Sequence, residues 1–198
     1  DNYTILHFIH INSKTIEERE LRHYLYVLDG VENRIKELRK FPSLTFDLNY
    51  IEQTEIDQLA QQIETTMQSD LKAKDQLLKK IRNNPLCNVD MENIIQRRNW
   101  KYKKLNNTIK GNRFSWLELY QQAGIKNSVS QFISGYMSEF VHGLCMSNIA
   151  YNTPPFEKGQ ILNINTVFIN KTTDIIKKLF QNDHAKNDID IRKSDIAT

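Results

Sequence analysis

Apolar residues recur along this chain at intervals of three and four, the period of helices with one buried face. The longest such run lies at 127–151, where Val129, Phe132, Ile133, Tyr136, Met137, Phe140, Val141 and Leu144 share a face. Residues 13–40 repeat the pattern through Leu21, Leu25, Leu28, Val31, Ile35 and Leu38, and Thr15 with Glu18 forms a capping box at the start. Gly30 falls inside this run, and its expected use is close approach of a neighbouring helix, with a kink as the alternative. A third helix is expected over 51–82, stopped by Asn83-Asn84-Pro85, with a polar middle that should project or bend. A short helix over 90–104, another over 116–123 capped by Ser115 and closed by Gly124, and a last one over 161–180 complete the pattern. In that last helix Ile164, Phe168, Ile169, Ile175, Ile176 and Leu179 are the apolar set. Residues 1–12 read as the end of a helix or a short strand.

These elements predict an all-α protein, a single helical bundle of about five to seven helices. The bundle domain is expected over 1–181, with 13–40 packed on 127–151, and a loosely ordered charged tail over 182–198. Six Gly and four Pro are few for a sandwich or barrel and agree with long helices. No apolar run reaches the ~18 residues that a membrane crossing requires. No signal-peptide pattern opens the chain, although it begins at Asp1 rather than Met. Cys87 and Cys145 are the two thiols, as a reducing cytosol would allow, so the expected location is cytoplasmic. The net charge of +3 permits nucleic-acid binding without arguing for it.

Candidate chemistry gathers in two places. Ser138, Glu139, His142 and Cys145 lie three or four residues apart on one helical stripe. There His142 could act as acid or base, with Ser138 and Glu139 beside it. The alternative is a structural, hydrogen-bonded histidine at a helix contact near Gly30. The second place is a basic–aromatic patch: Arg97, Arg98, Trp100, Lys101, Tyr102, Lys103 and Lys104. It would hold phosphate and stack bases, or else bury its rings and leave its cations in water. His7 and His10 lack further ligands at readable spacing, so no metal and no cofactor are expected.

The run from Ser115 to Ser147, with WLELYQQAGI leading into YMSEFVHGLCMS, resembles a family of bacterial helical proteins of unassigned function. Their matching features are a short helix ending in Ala-Gly and a helix with Ser-x-x-x-His followed by a small residue, here Ser138, His142 and Gly143. Such proteins are similar to HEPN-type bundles, which implies a metal-independent RNase or RNA-binding protein of phage-defence or toxin–antitoxin systems. The HEPN pattern is Arg, four to six intervening residues, then His. Met137, Tyr136 and Gly135 stand at those places here, so the phosphate-holding cation would come from elsewhere, with Arg19 or Arg22 as candidates. Two functions follow as expectations. One is a non-catalytic protein-interaction module, as a homodimer or with a protein partner. The other is the RNA-directed reading.

Overall fold

The computed structural model describes residues 1–40, 52–87, 91–105, 112–132, 135 and 155–194, with side chains of the last helix described at 159 and over 162–180. Among these residues there are seven α-helices and no strand. They are α1 (Asn2–Leu6), α2 (Ile16–Leu38), α3 (Gln53–Arg82), α4 (Glu92–Gln96), α5 (Trp116–Gln122), α6 (Asn127–Phe132) and α7 (Pro155–Ser194). The all-α reading therefore holds. The chain forms two compact units, one from Ser13–Phe114 and the other from Asp1–Asn12 with Ser115–Thr198.

In the Ser13–Phe114 unit, α2 and α3 form an antiparallel pair. Thr15 caps α2 by accepting from the Glu18 amide, and the Glu18 carboxylate accepts in return from the Lys14 amide, one residue beyond the usual box. Leu21, Leu25, Leu28 and Ile35 are buried along α2, as their spacing predicts. Charge pairs set the register between the helices: Arg34 grips the buried Asp70, and Lys74 meets Glu32 at 3.0 Å. At the far end Asn84 folds the chain after α3. Its side chain accepts from the Leu86 amide and donates to the Glu17 carbonyl, both at 3.0 Å. By this register α3 outruns α2 by about 20 Å at its N-terminal end. Ile56 and Ile63 are half-buried there and Leu59 is exposed; of the polar middle, 61–74, only the first part projects, while Asp70 and Lys74 lie against α2.

Among the described residues nothing packs closely on Gly30. It is exposed, and a Cβ placed on it would meet no heavy atom within 4 Å among the described residues. The helix expected over 90–104 is also shorter than its pattern, ending at Gln96. Arg98 turns to φ 49°, the Asn99 amide reaches the Ile94 carbonyl and the Arg98 amide reaches that of Ile95. This is a Schellman ending with arginine where glycine is usual.

In the other unit, residues 2–11 are helical, not extended: α1 continues into a π-helical turn, His7–Ile11, closed by the Asn12 amide on the His7 carbonyl. Tyr3 of α1, Ala123 and Ile175 of α7 form a core, with Leu6, Ile125, Phe168 and Leu179 packed against it. The Tyr3 hydroxyl donates to the Ala123 carbonyl at 3.1 Å. Ser115 and Glu118 form a complete capping box on α5, and Gly124 at φ 71° ends it. Beyond Phe132, the helix expected over 127–151 lies almost wholly outside the described residues, and its expected contact with α2 with it. Pro155 opens α7 at the first helical position, where its missing N–H costs nothing. The helix runs longer than the pattern over 161–180, through Ser194 and most of the expected tail.

Candidate functional site

The basic–aromatic patch is built mainly inward. Trp100, Lys101 and Tyr102 are buried. Arg22 of α2, itself buried, fastens the strand of loop that carries them. Its Nη1 donates to the Trp100 and Tyr102 carbonyls, both at 3.1 Å, and its guanidinium lies 3.9 Å from the centre of the Tyr102 ring. Its Nε and Nη2 donate to Glu18 at 3.2 and 2.8 Å. Arg22, a candidate for holding phosphate, is thus committed to the fold. The Trp100 ring meets Tyr26 edge-on at 5.2 Å.

Arg98 is half-buried and paired with Asp29 at 3.2 Å and with Glu32. Lys101 has its Nζ 5.4 Å from the centre of the Trp100 ring. Burial depresses its pKa, Arg113 adds to the depression, and Asp29 opposes it. Asn112 clips the end of the loop. Its Oδ1 accepts from the Lys103 and Lys104 amides at 3.1 and 2.8 Å, and its Nδ2 donates to the Lys104 carbonyl at 2.6 Å. Arg97, Lys103 and Lys104 remain exposed, with Lys103 Nζ 5.2 Å from the centre of the Phe114 ring. The residues expected to stack bases and those expected to hold phosphate therefore part company: the rings face the interior, and three cations face solvent.

The Tyr102 hydroxyl is buried with no hydrogen-bond partner among the described residues. Burial pushes its pKa up to about 12, Glu18 adding to the rise and Arg22 opposing it. The ring is thus a neutral packing group at ordinary pH. The Cys87 thiol is likewise pushed up, by burial and then by Glu92, with Arg82 opposing, which makes it a poor nucleophile.

The second candidate group, Ser138, Glu139 and His142 with Cys145, lies outside the described residues. Among the described residues no three His, Cys, Asp or Glu side chains converge as metal ligands, His7 and His10 included. No helix among the described residues is long and apolar enough to cross a membrane.

A third feature is one that the periodicity alone did not single out as a surface. α7 carries two apolar stripes. Phe168, Ile175 and Leu179 serve the core with Tyr3. Leu162, Ile169, Ile176 and Phe180 are 65, 64, 43 and 53% exposed, roughly 105° round the helix from the first stripe. Ile169 and Ile176, expected among the apolar face of this helix, thus belong to the open side. The readable signal was their spacing from Leu162 and Phe180, which forms a row separate from the core set. Val167, 50% exposed, lies off both stripes. No family model, no curated protein and no solved structure matches this chain.

Proposed function

We propose that this chain is a helical protein-interaction module that works through the open apolar face of α7 and carries no catalysis of its own. The observation that carries the reading is the row of large side chains at Leu162, Ile169, Ile176 and Phe180, each left 43% exposed or more. Isolated apolar side chains on a surface are ordinary, but an aligned row of four on one helix is what a partner covers.

Against RNA stacking stands the burial of Trp100 and Tyr102. Against a phosphate grip stands the pairing of Arg98 with two carboxylates and of Arg22 with Glu18. The RNase reading rests on His142, Ser138 and Glu139. Cleavage of RNA by the wild type, abolished in His142→Ala, would replace the present reading.

The direct test is a paired substitution, Ile169→Gln with Phe180→Gln. Because both side chains stand open, the variant should keep its helical circular dichroism and melting temperature. Purified under native conditions from its own cells, it should lose a stoichiometric companion that the wild type carries, whether another protein or a differently tagged copy of itself. A variant that retains the wild-type set of companions contradicts the reading.

A further inference from the structure

The open row on α7 has a finer order than exposure alone. Leu162, Thr166, Ile169, Thr173, Ile176 and Phe180 follow one another at intervals of four, three, four, three and four. The five intervals average 3.6 residues, but each alternate set, Leu162, Ile169 and Ile176 on one side and Thr166, Thr173 and Phe180 on the other, steps by seven, the heptad spacing of a coiled-coil seam. The two threonines do not break the seam. Thr166 Oγ1 donates to the Leu162 carbonyl and Thr173 Oγ1 to the Ile169 carbonyl, both at 2.9 Å. With the hydroxyl satisfied by its own helix, each threonine offers a partner its methyl group.

Three features of the helix bear on what covers the seam. First, knobs-into-holes packing needs a facing helix with the same repeat, and a second copy of this chain supplies one without further condition. Second, a coiled coil chooses a different partner by charges at the positions flanking the seam. Those positions here are Asn163, Asn165, Asn170, Thr172, Lys177 and Leu179, with one charge among them. No charge code selects a foreign helix, and no row of like charges repels an identical one. Third, the area suffices for a weak dimer. The four exposed fractions, applied to side chains of roughly 150–200 Å² each, leave about 400 Å² open per chain. A pair would bury about 800 Å² from these alone, and about 1,000 Å² once the threonine methyls and flanking stems are counted, near the lower bound for a specific interface. The same register continues into Asp183 and Asn187, which confines the seam to a stretch of about 27 Å.

We infer that a second copy of this chain is the occupant: two molecules associate by packing the Leu162–Phe180 seams of their last helices together. This rests on the interaction reading above and names its partner. The dimer is modest in affinity and concentration-dependent, as its area requires.

Sedimentation equilibrium of the full chain from about 1 to 100 µM tests it. The wild type should pass from monomer to dimer within that range, the span of a weak interface. Ile169→Asp with Ile176→Asp, which would bury a charge at two layers, should remain monomeric throughout, with circular dichroism unchanged. Should that variant fail to fold, Phe180→Ala, a truncation at an open position, should weaken the dimer about tenfold. A wild type that stays monomeric to 100 µM overturns the inference, as does a dimer that survives these substitutions. A strictly monomeric wild type whose companion is a different protein, lost in the Ile169→Gln and Phe180→Gln variant, would overturn the second copy while leaving the interaction reading intact. Monomeric behaviour with no companion at all would end both.

Discussion

Arg22 is the single side chain on which the basic–aromatic loop most depends, and Arg22→Ala should show it. The guanidinium supplies donors to two main-chain carbonyls, Trp100 and Tyr102, and two more to Glu18. It also covers one face of the Tyr102 ring. Truncation leaves the carbonyls without these donors in a buried place, at about 1–3 kcal/mol for each group left unpaired. It also strips Glu18 of its counter-charge; breaking a buried pair from one side costs about 3–5 kcal/mol as a whole. These terms overlap, so the expected loss is about 4 kcal/mol, roughly a 10 °C fall in melting temperature for a chain of this size. Arg22→Lys should recover less than half, because one ammonium cannot serve two carbonyls and a carboxylate from a fixed fork. Thermal and urea unfolding followed by circular dichroism measure both. A loss below about 1 kcal/mol for Arg22→Ala would refute the claim that this residue pins the loop.

Three further outcomes follow from particular residues. Tyr102→Phe removes a buried hydroxyl with no partner among the described residues, so it should be neutral or stabilise by up to about 1 kcal/mol; a comparable loss in urea unfolding would mean that the hydroxyl is bonded. Gly30→Ala, at an exposed helical position with open space for a Cβ, should stabilise by about 0.5–1 kcal/mol, and a destabilised variant would mean that something covers α2 there. His7 is held below the usual histidine range, chiefly by burial and also by Lys171, with Asn12 opposing. The unfolded chain therefore takes up the proton first, and stability that is complete above about pH 6.5 drains away as the pH falls through the lower folded value. The melting temperature should drop between pH 7 and 5 by less in His7→Gln than in the wild type; equal drops would exclude His7 as a source.

The fold was legible wherever period and punctuation agreed. Leu21, Leu25, Leu28 and Ile35 were readable as a buried stripe because a core-facing helix must repeat there. Ser115 and Gly124 bracketed α5 because their chemistry at helix ends is local. What resisted reading depended on distant partners. α4 stops at Gln96 although the helical pattern continues, because Arg98 takes a glycine-like backbone while Asp29 and Glu32 hold its side chain. Nothing adjacent in sequence announces that. The patch of Arg97 to Lys104 looked like one surface because cations and rings alternate. Tertiary packing sorted them by burial, drawing in Trp100 and Tyr102 and leaving Lys103 and Lys104 outside. In α7 two stripes overlap in a simple count of apolar positions. Only the position of α1 against Phe168 and Ile175 tells core from open face.

On the proposed function, the open side of α7 is where this protein meets a partner. Photo-crosslinking from the face itself tests it most directly, with a photoreactive phenylalanine derivative substituted at Ile169 and, as a control, at the exposed Lys36 on α2. On irradiation in the protein's own cells, Ile169 should give a discrete adduct at the mass of the chain plus one partner, and Lys36 should give none. The same adducts from both positions, or no adduct from Ile169, would contradict the account.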